Sequence, residues 1–273
     1  MLLSLLACTW PEPRGEVVPP FVTPPAHEAA IDTFAPGPKP PPYPHNPGPG
    51  EVCRPDGLAC TDNTLCCTEC CIPGTAPVCT VPDAYGECPL PDIFVDEASF
   101  LDSLRQDTYE AQVNGCAVEE GCVLGDGVRK VLRFTTTTPN LGTADLKMGD
   151  PNAHPESFEW SACHEHFHYK GFAEYRLYDT TGSVVLTGHK QAFCLMDAIP
   201  WFEIEIPTYH CANQGISTHW ADSYGGDLDC QWVDVTDIAP GDYTLEVALN
   251  PDGVFQDRDP SNDAVRAPVT ITP

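Results

Sequence analysis

Positive charge is what this chain has least of. Thirteen Lys and Arg stand against 40 Asp and Glu, a formal net charge of −27 over 273 residues. A nucleic-acid backbone is bound by Lys and Arg, so that class of partner is excluded. The same field would attract a cationic substrate, although it serves the solubility of an exported protein equally well. Past the first few residues no apolar run approaches the ~20 residues that a membrane span needs. No phosphate-binding glycine loop occurs, so nothing points to a nucleotide.

Cysteine, by contrast, is abundant, with 15 residues. In a chain of this size that implies an oxidising compartment. Residues 1–8, ending Leu5-Leu6-Ala7-Cys8, read as the tail of an export signal, and they resemble a bacterial lipoprotein signal in which Cys8 is lipidated. Residues 9–50 are a proline-rich linker that cannot build a core and favours extended conformations. Residues 51–89 carry Cys53, Cys60, Cys66, Cys67, Cys70, Cys71, Cys79 and Cys88. So short a segment needs staples in place of an apolar core, and its doublets resemble knottin-like modules.

Residues 90–273 form the last and largest domain. A helix is expected from Asp96 to Gln112, with Phe100, Leu101, Leu104 and Tyr109 facing inward. Strands dominate after it: Lys130–Thr135, Phe172–Tyr178 and Ser183–Thr187 alternate. Gln231–Val235 and Tyr243–Leu249 are expected to pair with each other across the turn Ala239-Pro240-Gly241-Asp242. The fold class that follows is mostly β, an antiparallel β-sandwich with extensive loops.

The most informative stretch is Trp160-Ser161-Ala162-Cys163-His164-Glu165-His166-Phe167-His168-Tyr169. Three histidines at alternate positions share no face of a helix but share one face of a strand. Three imidazoles on one face suit copper, zinc, iron or nickel, and spacing does not choose among them. In a straight strand His164 and His168 would lie about 13 Å apart at Cα. A single ion can hold all three only if the chain bends or bulges there.

Cys163-His164-Glu165-His166-Phe167-His168 resembles the copper-binding segment of the lysyl oxidases. Gly188-His189-Lys190-Gln191-Ala192-Phe193-Cys194-Leu195 is similar to that family's segment carrying the lysine of its quinone cofactor. The run from Asp222 to Asp237 is similar to the segment carrying the tyrosine. The motifs keep the family's order over about residues 90–265. The resemblance implies copper on His164, His166 and His168, with lysine tyrosylquinone built from Lys190 and Tyr224. It further implies molecular oxygen as oxidant and a primary amine or peptidyl lysine as substrate, released as an aldehyde with ammonia and hydrogen peroxide. Asp222 is a candidate base, with a structural role as the alternative. Ser161 is not expected to ligate copper. The resemblance pairs Cys116 with Cys122 and Cys163 with Cys211. That leaves Cys194 and Cys230, and a Lys190–Tyr224 crosslink would bring them together.

An acidic loop supplies a second expected ion. Asp257, Asp259, Asn262 and Asp263 offer oxygens at the short spacing that suits calcium, but on spacing alone a polar turn is the preferred reading, and it is the resemblance that implies calcium on them. The resemblance adds Asp92 and the Ile93 carbonyl, so the ion would tie the domain's first and last segments together. Three function classes stay open: a quinone-dependent copper amine oxidase, an exported metal-binding surface protein without a quinone, and a mononuclear oxygenase. The last would want a carboxylate ligand and has no use for Lys190 or Tyr224.

Overall fold

The computed structural model describes residues 54–61, 65–72, 77–83, 86–189, 194–202 and 206–273. Segments 1–8 and 9–50, with the Cys8 reading, lie outside them, as does Lys190. In the cysteine-rich module a hairpin of β1 (Cys71–Ile72) and β2 (Val78–Cys79) is tied by Cys60–Cys71, Cys66–Cys79 and Cys70–Cys88. Cys67 is also disulfide-bonded. Four of these cysteines, Cys60, Cys66, Cys71 and Cys79, form the module's own buried cluster, so sulfur stands in for an apolar core.

The expected helix is cut short. Asp96 caps α1 (Glu97–Ser103) by accepting the Ser99 N–H at 3.0 Å. Leu104 then turns extended, and β3 (Arg105–Ala111) runs on from it. After α2 (Cys116–Glu119), β4 (Gly127–Arg133) pairs with β3 along its whole length, from Arg105↔Arg133 to Ala111↔Gly127. Pairing with β4 gives the segment a ladder of backbone hydrogen bonds along one edge, which outweighs any helical tendency of the segment. Leu101, expected to face inward, is 44% exposed. Phe100 is fully buried, edge-on to Phe134 at 5.5 Å.

The chain continues through β5 (Thr136–Pro139), β6 (Leu146–Gly149), β7 (Phe158–Ser161), β8 (His166–Tyr169), β9 (Ala173–Tyr178) and β10 (Val184–His189). It ends with β11 (Ile199–Pro200), β12 (Gln214–Ile216), β13 (Trp220–Tyr224), β14 (Trp232–Asp234), β15 (Gly241–Leu249) and β16 (Ala264–Ile271). The fold is mostly β, as expected, and its strand pairings are antiparallel. The strands divide among small sheets, the largest ordered β10-β9-β15-β16. Tyr175, Leu177, Leu245, Val247, Ala267 and Ile271 of that sheet are buried with Phe100, Phe134 and Phe158 in one core.

One expected hairpin is replaced. β14 pairs with β4, while β15 pairs with β9 and β16, so Gln231–Val235 and Tyr243–Leu249 do not partner each other. Trp232 is engaged elsewhere: its indole N–H donates to the Cys122 carbonyl, and Arg133 sits 4.5 Å over its ring.

The expected disulfides are also corrected. The bridges are Cys116–Cys163, Cys122–Cys230 and Cys194–Cys211, not Cys116–Cys122, Cys163–Cys211 and Cys194–Cys230. Cys116 opens α2 and Cys122 follows its end, so the two project toward different neighbours. Cys230 has φ 61°, in the left-handed region, and is buried in the cluster with Cys122 and Trp232.

Candidate active site

The histidines sit on a hairpin. β7 and β8 pair with Ser161 opposite His166, Trp160 opposite Phe167 and Glu159 opposite His168. Alternation puts Phe158, Trp160, Phe167 and Tyr169 on one face, in cross-strand aromatic contacts at 5.0 and 5.1 Å. Phe167 and Tyr169 pack on the main core. The other face carries Glu159, Ser161, His166 and His168. His164 lies in the connecting turn, and Glu165 after it takes φ 55°. That left-handed residue supplies the expected bend. It folds the first imidazole back over the other two, with ring centres 5.7, 5.7 and 5.0 Å apart. A metal roughly 2.0–2.1 Å from one nitrogen of each ring in a tetrahedral arrangement would hold the ring centres about 5 Å apart. The Nε2 atoms of His166 and His168 are shielded from solvent.

The helix of the short Cys116–Cys122 segment delivers a residue that sequence reasoning missed. Glu120 Oε2 lies 2.8 Å from His164 Nε2, and its other oxygen accepts from the Ser161 hydroxyl. Ser161 Oγ in turn accepts the His164 backbone N–H at 3.0 Å, so Glu120, Ser161 and His164 close a ring. The Cys116–Cys163 bridge fixes the helix beside this turn. Were a metal bound here, the contact of Glu120 with Nε2 would make Nδ1 the ligating nitrogen of His164. Glu119, Glu120, Glu159 and Trp160 line a cavity of about 320 Å³ that reaches His168. The other places where ligand-type atoms crowd, among the described residues, are built on disulfide sulfurs, which cannot act as thiolates.

Tyr224 ends β13, the central strand of the sheet β11-β13-β5. Its hydroxyl donates to the Cys194 carbonyl. Burial lifts the phenol well above its ordinary range, and the Asp222 carboxylate beside it raises it further. Asp222, on the same face of the strand, is wholly buried. β10 leads toward Lys190, and the described chain resumes at Cys194.

The acidic loop meets the start of the domain. Asp257 accepts the Ile93 N–H at 2.8 Å, and Asn262 donates to Asp92 at 2.9 Å. One oxygen each of Asn262 and Asp263 is buried with no hydrogen-bond partner. Burial, then the neighbouring Asp257, Asp92 and Asp259, pushes the Asp263 carboxyl up to about 7. Orphaned buried oxygens among mutually repelling carboxylates fit a hard cation. Asp259 is exposed and its carboxylate holds Ser261, so it stands at the rim of this group.

A family model described as Lysyl oxidase matches residues 91–272. Lysyl oxidase homolog 1 of Homo sapiens is 38% identical over 170 residues, covering 58% of this chain and 29% of that protein. Lysyl oxidase homolog 4 of Mus musculus is 39% identical over 163 residues, covering 55% and 21%. Lysyl oxidase homolog 3B of Danio rerio is 39% identical over 163 residues, covering 55% and 20%. The chain therefore spans less than a third of the length of these relatives.

Proposed function

The chain belongs to the lysyl oxidase family, and on that premise we propose that it is a copper- and lysine tyrosylquinone-dependent amine oxidase. It would take primary amines, either peptidyl lysine or small amines, to aldehydes. The observation that carries this reading is the convergence of His164, His166 and His168, with ring centres 5.0 to 5.7 Å apart. These three would hold the copper. When formed, the cofactor derived from Lys190 and Tyr224 would supply an electrophilic carbonyl and accept two electrons from the amine, which oxygen then takes up as hydrogen peroxide as ammonia leaves.

The chain's own residues have definable tasks. Burial and the Asp222 charge keep the Tyr224 phenol protonated, and its bond to the Cys194 carbonyl fixes the ring's position. Asp222, wholly buried, would receive a proton away from bulk water. Glu120 orients His164. Asp92, the Ile93 carbonyl, Asp257, Asp259, Asn262 and Asp263 would hold calcium and join the domain's two ends. The disulfides support an oxidising compartment, and Cys8 would serve as a lipid anchor to a bacterial surface. No helix among the described residues is long and apolar enough to cross a membrane.

A peptide map of protein expressed with copper tests the reading. One crosslinked peptide containing Lys190 and Tyr224, reactive with phenylhydrazine, is expected. Separate peptides in copper-loaded, disulfide-intact protein would leave a metal-binding surface protein instead.

A further inference from the structure

Gln214 is fully buried, and its side-chain amide spans two segments far apart in sequence. Its Oε1 accepts the Leu195 N–H at 3.0 Å. Its Nε2 donates to the Phe167 carbonyl at 2.7 Å. The two partners fix which end of the amide is which, because one is a donor and the other an acceptor.

Both partners matter for the site. Phe167 lies between His166 and His168. The Leu195 N–H belongs to the same peptide group as the Cys194 carbonyl, which accepts the Tyr224 hydroxyl. A peptide group is planar and rigid. The path therefore runs from the Tyr224 hydroxyl to the Cys194–Leu195 peptide, through the Gln214 amide, to the carbonyl between two histidines. Each amide in it accepts at one end and donates at the other, so the bonds polarise one another in one direction.

Local backbone holds Gln214 to this task. The β12–β6 register shifts between Gln214 and Gly215, a bulge of the kind that re-aims a side chain. Gly215 donates its own N–H to the Leu195 carbonyl at 3.0 Å. A Cβ on Gly215 would meet the Leu146 carbonyl at 2.4 Å and the Tyr209 ring at 2.6 Å. Both backbone polar groups of Leu195 are thus taken by one dipeptide, at a close approach that only glycine permits.

We propose that Gln214 is a positioning residue that sets Tyr224 against the histidine strand and couples metal at the histidines to the tyrosine. The proposal rests on the amine oxidase reading for its chemical consequence but not for the coupling itself. A metal on His166 and His168 immobilises the Phe167 carbonyl, which steadies the Gln214 amide and lowers the opening of the Leu195 N–H.

The test uses zinc, which binds imidazole without redox chemistry, and then copper. In the wild-type protein, zinc is expected to slow amide exchange at Leu195 at least about tenfold. In Q214M, which removes both bonds at similar volume, and in Q214E at a pH where the carboxylate is ionised and keeps only the acceptor, zinc binds within about threefold of wild type but no longer protects Leu195. With copper in air, both variants accumulate the Lys190–Tyr224 crosslinked peptide at least about tenfold more slowly at equal copper loading. Leu195 exchange indifferent to zinc in the wild type, which requires no variant to fold, overturns the proposal, as does crosslinking in Q214E at the wild-type rate. Zinc protection without any crosslinked peptide in the wild type would instead sink the amine oxidase reading and leave the coupling intact.

Discussion

At the scale of single residues, two side chains decide whether three histidines become one site. Glu165 sits at φ 55° between the first and second imidazoles. A non-glycine residue there costs of order 1–3 kcal/mol, least for residues that tolerate the left-handed region and most for β-branched ones. Glu165→Gly should therefore stay within about 0.5 kcal/mol of wild-type stability, its relief of strain offset by the freer unfolded chain. It should keep zinc affinity within about twofold. Glu165→Val should lose at least about 1 kcal/mol and bind zinc at least about tenfold more weakly, as read by thermal melts and a zinc titration. Glu120 acts on orientation. Removing a carboxylate that orients a ligating histidine typically costs 10–100-fold in metal affinity. Glu120→Ala is expected to fall in that range, with global melting moved far less than binding. An unchanged zinc affinity would mean that the contact with His164 plays no part in metal binding.

At the scale of elements, the acidic loop and the first segment after residue 90 are held together by Asp257 and Asn262. Burial and the neighbouring carboxylates raise the Asp263 carboxyl from its ordinary 3.8 to about 7. The folded protein then binds a proton that the unfolded chain has already released. Its stability falls as pH rises from about 4 through about 7, the reverse of a salt-bridged carboxylate. A calcium ion reverses that loss by favouring the ionised form. Calcium removal should lower the melting temperature by several degrees at pH 7.5 and by clearly less at pH 5. Asp263→Asn should raise metal-free stability at pH 7.5 and abolish most of the calcium response. A melting temperature indifferent to calcium at both pH values would remove the ion from the picture. These elements also mark how far sequence reasoning reaches. The alternating histidines and the need for a bend were legible, because both follow from strand geometry and a single ion's reach. The helix was overrun because apolar spacing over Asp96–Gln112 does not reveal that β4 is waiting as a partner for Arg105–Ala111. Glu120 and Gln214 were invisible. They act on His164 across 44 positions and on Phe167 across 47, and contacts that long leave no periodic trace.

At the scale of the whole molecule, the disulfides sort the site into two halves. Cys116–Cys163 holds the Glu120 helix against the histidine turn, and Cys194–Cys211 closes the loop whose carbonyl receives Tyr224. The sequence could not distinguish these pairings, because six cysteines in one domain permit 15 connectivities and only the chain path selects one. The path makes the halves separable by experiment. Replacing Cys116 and Cys163 together by Ser frees Glu120 from its fixed approach, so zinc affinity should drop about tenfold, in the range expected for a disturbed outer partner of a ligand. Replacing Cys194 and Cys211 together should leave zinc affinity within about threefold. It should, however, slow crosslinking of Lys190 to Tyr224, because the Cys194 carbonyl is no longer held in place. Each pair closes a loop in the unfolded chain, so both double variants lose some global stability. Zinc titration and crosslink yield are therefore compared at temperatures where all forms are folded. The prediction lies in the contrast between the variants. Equal loss of zinc affinity in both would show that the bridges act only through overall stability, and that metal and tyrosine are not positioned by separate parts of the fold.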